Sequence, residues 1–311
     1  MATKRSLDIN DTKEKNSTES QAKISKITAL SPKEDIAISK QSCSKTIEPP
    51  IETKTDTKEP DKKDNKKDAD ILDANIINIG KNETSTYRYV DTKEKFNVAL
   101  KELNEKIHKR QMIALDCEGV DLSRFGSITM INIGTRDLVY LIDVLKIGNI
   151  VFDDGLRSIL EDSEIEKLMF DCREDADALL HLHKTKLDGI LDVQILEASN
   201  RVYRKGYTKV RSLKHCLELN IADDTLLNIK LQGRASMCSS SNVWEKRPLD
   251  ENMLKYASVD ILALFKLYDK LSSRMSRDNW KAASSRYCET TRSRNRIYRD
   301  DSGILPNGVI V

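Results

Sequence analysis

Met112-Ile113-Ala114-Leu115-Asp116-Cys117-Glu118-Gly119 is the stretch on which the reading of this chain turns. Four apolar residues in a row predict a buried strand, and two carboxylates stand at its C-terminal end. Side chains alternate along a strand, so Asp116 and Glu118 share a face. Two acids side by side at the edge of a core repel each other and are costly to desolvate. A divalent cation removes both penalties, which makes the pair a candidate metal site. An acid-x-acid triplet also arises by chance, so the pair needs support from elsewhere in the chain.

The 311 residues are 39% hydrophobic and 33% charged, and the net charge of +2 argues neither for nor against a nucleic-acid partner. The apolar residues are unevenly spread. Residues 1–85 are dominated by Lys, Asp, Glu, Ser and Thr, as in Lys62-Lys63-Asp64-Asn65-Lys66-Lys67. Such a segment buries too little surface to offset its chain entropy, and a disordered polar tail open to protein partners is expected there. Residues 86–272 suffice for one α/β domain with a sizeable core. Residues 273–311 lose the apolar period and carry Arg286, Arg292, Arg294, Arg296 and Arg299. They are expected to form a basic, loosely ordered tail. No N-terminal apolar run suggests a secretory signal, and no stretch approaches the ~20 apolar residues of a membrane span. Cys43, Cys117, Cys172, Cys216, Cys238 and Cys288 show neither close pairing nor zinc-type spacing. They fit a reduced intracellular protein, cytoplasmic rather than nuclear.

Within the central part, Phe96, Leu100, Leu103 and Ile107 recur at helical spacing ahead of the opening strand. Two further strands are expected around Ile128 to Ile131 and Leu138 to Ile142. The short Gly134-Thr135-Arg136-Asp137 link makes them a hairpin, so the domain opens with an antiparallel meander. Leu168-Met169-Phe170 predicts a fourth strand and Ile190 to Ile195 a fifth. Asp171 and Glu174 match a capping box before a helix that carries Asp175 near its start. Ser212 to Leu219 is expected to be a short helix, followed by an irregular piece through Ser239-Ser240-Ser241. A long helix then starts near Asp250, a suitable N-cap, with Leu254, Ala257, Ile261, Leu264, Tyr268 and Leu271 in period.

On that long helix Tyr256 and Asp260 are four apart and share a face. With Asp116, Glu118 and Asp175 they make four carboxylates and one phenol on three separate elements. Metal-assisted phosphodiester hydrolysis uses such a set, with two Mg2+ or Mn2+ ions roughly 3.5–4 Å apart held by carboxylates and water. Asp177 competes with Asp175 for the third position.

The order Asp-x-Glu, a mid-chain helical Asp, then Tyr-x-x-x-Asp resembles the DEDDy 3'-5' exonucleases. Asp171-Cys172-Arg173 and Trp244-Glu245-Lys246-Arg247-Pro248-Leu249 are similar to the ribonuclease D group. Asp116-Cys117-Glu118-Gly119-Val120 followed by Leu122-Ser123-Arg124-Phe125-Gly126 is similar to the branch containing exonuclease 3'-5' domain-containing protein 1 and Egalitarian. The resemblance implies a ribonuclease H-like (DnaQ-like) α/β fold, a five-stranded mixed sheet flanked by helices. It also implies that Asp116 bridges two metals, that Glu118 and Asp260 hold the first, that Asp175 serves the second, and that Tyr256 positions the nucleophile.

The run from Arg201 to Arg211 interleaves cations and rings, with Arg204, Lys205, Tyr207, Lys209 and Arg211 as candidates to grip a single strand. An ordinary solvated loop is the alternative. The expected function is a metal-dependent 3'-5' exonuclease acting on single-stranded nucleic acid, RNA rather than DNA. The rival is an RNA-binding adaptor with a vestigial exonuclease fold.

Overall fold

The central strand β3 (Met112–Val120) is where the apolar run of the sequence becomes a core: Ile113, Ala114 and Leu115 are fully buried and Cys117 nearly so. The computed structural model describes residues 71–110, 112–205, 209–221, 223–238, 242–296 and 303–311. Strand β3 is flanked by β4 (Ser127–Gly134) and β6 (Glu166–Met169). It runs antiparallel to β4, with Asp116 opposite Asn132 and Glu118 opposite Met130, and parallel to β6. β4 turns through Thr135, whose N–H donates to Leu138 O, into antiparallel β5 (Leu138–Asp143). The expected meander is therefore present, and β7 (Ile190–Asp192) extends the sheet in parallel beyond β6.

The expectation of five strands is corrected to seven. β1 (Asn75–Gly80) and β2 (Glu83–Val90) form a hairpin, and β2 pairs parallel with β5, giving the order β1-β2-β5-β4-β3-β6-β7 among the described residues. The boundary drawn at residue 85 thus falls inside β2. Ile77, Ile79, Ser85, Tyr87 and Val90 turn inward, while Ile76 is exposed and most of the remaining residues are polar. An alternation carried by so few large side chains is a weak periodic signal. The rest of the expected tail, residues 1–70, lies outside the described residues.

Helices cover the sheet. α1 (Lys93–Arg110) buries Phe96, Leu103 and Ile107 as its spacing predicted. α2 (Val144–Ile147) and α3 (Arg157–Glu161) are short, and α4 (Arg173–His183) follows β6. The capping box before α4 does not form. Asp171 adopts a positive φ of 57° and binds the Arg173 guanidinium, while the carboxylate of Asp192 accepts the Cys172 N–H. After β7 come α5 (Val193–Lys205), α6 (Leu213–Asn220) and α7 (Asp224–Cys238). α7 occupies most of the piece expected to be irregular.

The long helix α8 (Glu251–Leu271) starts where expected, with Asp250 accepting the Asn252 N–H at 2.9 Å. Its approach is fixed by Arg247, which donates to Asp143 at the end of β5 at 2.8 Å and to Trp244 O at 2.8 Å.

The expected loose tail beyond residue 272 is also corrected. α9 (Arg277–Arg292) is capped by Ser276 and buries Trp280, Ala283, Tyr287 and Cys288. These recur at helical spacing, and the Trp280 indole N–H donates to Asp192 O at 2.7 Å. Arg292 and Arg296 turn inward, to Glu289 and to Glu174 respectively, instead of presenting free charge to solvent.

Candidate active site

Strand alternation carries Asp116 and Glu118 to the same face of β3, where α8 crosses and delivers Asp260. Oxygen atoms of these three carboxylates all lie within 4.8 Å of one another. Burial holds the Asp116 and Glu118 carboxyls well above the usual carboxylate range, and their acidic neighbours add to it: Asp175 and Asp260 for Asp116, Asp116 and Asp260 for Glu118. Burial also raises Asp260, against the pull of the Lys230 ammonium.

Asp175 comes from the first turn of α4. Its Oδ1 accepts the main-chain N–H of Cys117 at 2.8 Å, between the two strand acids. Burial lifts it to about 7, with that backbone donor opposing. Asp177, two residues on, faces elsewhere. It is fully buried and accepts from Arg124 N at 2.8 Å and from the Arg124 guanidinium at 2.6 Å. Of the two competing positions, Asp175 is the one turned toward the β3 acids.

Tyr256 stands one helical turn before Asp260 on α8, within reach of its charge. The negative charge of Asp260, then burial, then Glu118 and Asp116 push the phenol far above its ordinary value, so it stays protonated. Trp244 lies tilted beside the ring, centroid to centroid 6.4 Å. The all-sequence candidates Asp116, Glu118, Tyr256 and Asp260 are thus brought together, with Asp175 adjoining.

Three residues of α7 were not foreseen. Lys230, Gly233 and Arg234, at i, i+3 and i+4, share the helix face that covers Tyr256 and Asp260. The Lys230 ammonium is buried, bonds to Asp260 Oδ1 and lies 4.3 Å from the Tyr256 ring centroid. Gly233 is required by packing: a Cβ there would fall 2.6 Å from Tyr256 Cβ. A cavity of about 220 Å³ opens at the acids, lined by Asp116, Asp260, Tyr256 and Phe170 and by Ser212, Lys214, Lys230 and Arg234. The signal for this face was the Lys-x-x-Gly-Arg spacing, which has no meaning until residues 224–238 are known to be helical.

The basic run read as a substrate grip is placed differently. Arg211 donates to Glu197 at 2.7 Å, and Arg201 also binds Glu197, itself buried. Lys209 is exposed, and its carbonyl accepts from Arg201. Arg204 and Lys205 fall on the last turn of α5, but their side chains, like Tyr207, lie outside the described residues.

Can these residues hold a divalent ion? Carboxylate oxygens are the donors that hard cations prefer, and three converge within the reach of one ion. Asn132 is fully buried opposite Asp116, its amide donating to Asp116 Oδ2 at 3.4 Å while its Oδ1 has no partner among the described residues. The Lys230 ammonium already marks the spot as one where positive charge is stabilised. The donor set fits.

Comparison with known proteins agrees with this geometry. The sequence matches the profile described as 3'-5' exonuclease over residues 87–276. It is 25% identical over 197 residues to piRNA biogenesis protein EXD1 of Mus musculus, covering 60% of this chain and 33% of that protein. The chain therefore spans about a third of that relative's length. The structure is similar to that of Trypanosoma brucei RNase D in complex with GMP, with a TM-score of 0.60 and 26% identity over 71% of this chain and 69% of that one. The same enzyme in complex with RNA U12 gives a TM-score of 0.58 at 26% identity, over 71% and 76% of the two chains. No helix among the described residues is long and apolar enough to cross a membrane. With a profile match across most of its length and the acids of its sheet and helices gathered at one cavity, the chain belongs to the 3'-5' exonuclease family.

Proposed function

We propose that this protein is a metal-dependent exonuclease of the DEDDy type that removes nucleotides one at a time from the 3' end of single-stranded RNA. The observation that carries the reading is the convergence of Asp116, Glu118 and Asp260 within 4.8 Å, with Asp175 beside them. Asp116, Glu118 and Asp260, together with Asp175, would hold two Mg2+ or Mn2+ ions. Bound there, the ions supply electrostatic stabilisation of the charge that develops on the attacking and leaving oxygens.

The rest follows from the chain's own groups. Tyr256 keeps its proton beside Asp260, and its hydroxyl oxygen has a lone pair that can accept one O–H of a water. The water then has a lone pair directed at the terminal phosphodiester. Attack at phosphorus breaks the bond to the 3' oxygen of the preceding nucleotide. One proton of the water ends, by way of solvent, on that departing oxygen and the other is released from the nucleoside 5'-monophosphate, so the strand is shortened by one nucleotide. Phe170 offers a ring at the cavity wall, and Lys214 and Arg234 offer cations at its sides for the phosphates of the strand. RNA is preferred over DNA in this reading because the solved relative was captured with RNA U12 and with GMP.

The test is a 5'-labelled single-stranded RNA incubated with the full chain in Mg2+, Mn2+ or EDTA. A ladder of shortened products with release of 5'-monophosphates, absent in EDTA, is expected. RNA binding without turnover in either metal would overturn the enzyme and leave the adaptor reading.

A further inference from the structure

Lys230 is the only basic side chain that the described residues bring into direct contact with the acids of the cavity floor. Its surroundings are unusual for a lysine. The side chain is only 6% exposed, and its ammonium lies over the Tyr256 ring and rests on Asp260 rather than reaching solvent. Burying an ammonium is costly unless opposite charge compensates, and here compensation comes from the carboxylates themselves. Asp260 is one of the three groups whose oxygens lie within 4.8 Å, so the ammonium and a divalent ion compete for the same carboxylate. Arg234, one turn further along α7, lines the same cavity but is exposed and forms no hydrogen bond or ion pair among the described residues.

We propose that Lys230 is a built-in counter-cation that holds the Asp260 end of the acid cluster together when no metal is bound and must leave it when a metal enters. The inference rests on the metal-site reading above. Metal affinity is then set partly by the chain itself, since each loading event breaks the Lys230–Asp260 pair. The lysine is a positioning residue here, acting through Asp260. Its removal stabilises metal binding by deleting both a competitor and a repelling positive charge. At a few ångströms that repulsion alone is worth at least about tenfold in affinity.

The experiment uses the full chain and Mn2+ as the probe. Calorimetry is expected to show Mn2+ binding about tenfold or more tighter in Lys230→Gln than in wild type, and in Lys230→Arg unchanged within about threefold. Thermal unfolding provides the control for a merely structural role. Lys230→Gln lowers the midpoint in EDTA, and that loss shrinks in saturating Mn2+; an equal loss in both overturns the proposal. Should Lys230→Gln fail to fold, amine-selective labelling of wild type followed by mass spectrometry still decides. Lys230 is shielded in EDTA and is expected to label faster once Mn2+ is added, whereas unchanged labelling overturns the inference. If wild type binds no Mn2+ at all, the metal-site reading falls and this inference with it. If it binds Mn2+ while variant affinity and labelling do not change, only the role of Lys230 falls.

Discussion

Asp175 Oδ1 accepts the Cys117 N–H at 2.8 Å, and this one bond clamps the first turn of α4 to β3 at the residue between Asp116 and Glu118. One oxygen of Asp175 thus has a structural task beside the acids of β3. Asp175→Asn retains a carbonyl oxygen for Cys117 and is expected to unfold in urea within about 1 kcal/mol of wild type. Asp175→Ala orphans a buried backbone donor and is expected to lose about 1–3 kcal/mol. Both variants should lose RNA turnover. An Asp175→Asn protein as unstable as Asp175→Ala would show that the clamp depends on charge.

Asp116 has the opposite balance of stability and activity. It is raised by burial, Asp175 and Asp260, so the metal-free fold carries repulsion around it. Asp116→Asn relieves that repulsion and still offers an oxygen toward Asn132. In EDTA its melting midpoint is expected to equal or exceed wild type, while turnover in Mg2+ or Mn2+ disappears. A destabilised Asp116→Asn protein would contradict the account of repulsion among the acids.

Gly233 and Tyr256 test the role of α7. A methyl at 233 meets Tyr256 Cβ at 2.6 Å and Cδ2 at 2.5 Å, so either the ring or the helix must shift. Gly233→Ala is expected to reduce kcat at least as much as Tyr256→Phe, which removes only the hydroxyl. Mn2+ binding should persist in both. If kcat of Gly233→Ala matched wild type, the covering helix would have no part in positioning the tyrosine.

The pH dependence follows from the same carboxyls. Asp175 is held at about 7 in the folded chain, above its ordinary value of 3.8, and Asp116, Glu118 and Asp260 are raised as well. The folded state then binds more protons than the unfolded state between those values. The contribution of these four groups to metal-free stability is fully present at the acidic end and is lost as pH rises from about 4 toward 7. Metal binding must displace those protons and tightens over the same window. Melting curves at pH 5 and pH 8 with and without Mg2+ should show little metal effect at the lower pH and a clear rise at the higher one.

What could be read from the sequence depended on how strongly each element's burial was written in large apolar side chains. β3 and α8 carry dense Ile, Leu and Ala patterns, so the alternation that pairs Asp116 with Glu118 and the turn that pairs Tyr256 with Asp260 were both visible. β1 and β2 bury little more than Ile77, Ile79, Ser85, Tyr87 and Val90, and their Thr and Asn residues blend into the polar stretch before them. α7 was hidden for a related reason. The face it turns inward is Leu226, Lys230 and Gly233, a lysine and a glycine where an amphipathic helix would show apolar groups. Those choices make sense only once Tyr256 and Asp260 are seen beneath them. In α9 the period of Trp280, Ala283 and Tyr287 was present, but the surrounding arginines obscured it.

The basic residues yield the last prediction, because the structure separates those committed to the fold from those open to a ligand. Arg211 is tied to Glu197, which Arg201 also neutralises, and the Arg211 carbonyl accepts from Gln194 at 3.0 Å. Arg211→Ala removes one of two cations from a buried carboxylate that retains the other. Its cost is expected to be modest, about 1 kcal/mol or less for the partly exposed pair, with little change in RNA affinity. Arg234 is exposed, lines the cavity and forms no hydrogen bond or ion pair among the described residues. If it contacts a phosphate, Arg234→Ala leaves stability unchanged and weakens binding of single-stranded RNA at low salt. The slope of log affinity against log salt should become shallower by about 0.7, the value for one phosphate contact on a single strand. Filter binding across a salt series in EDTA measures both variants without turnover. A shallower slope for Arg211→Ala and an unchanged one for Arg234→Ala would return the grip to the α5–α6 connection and take it away from α7.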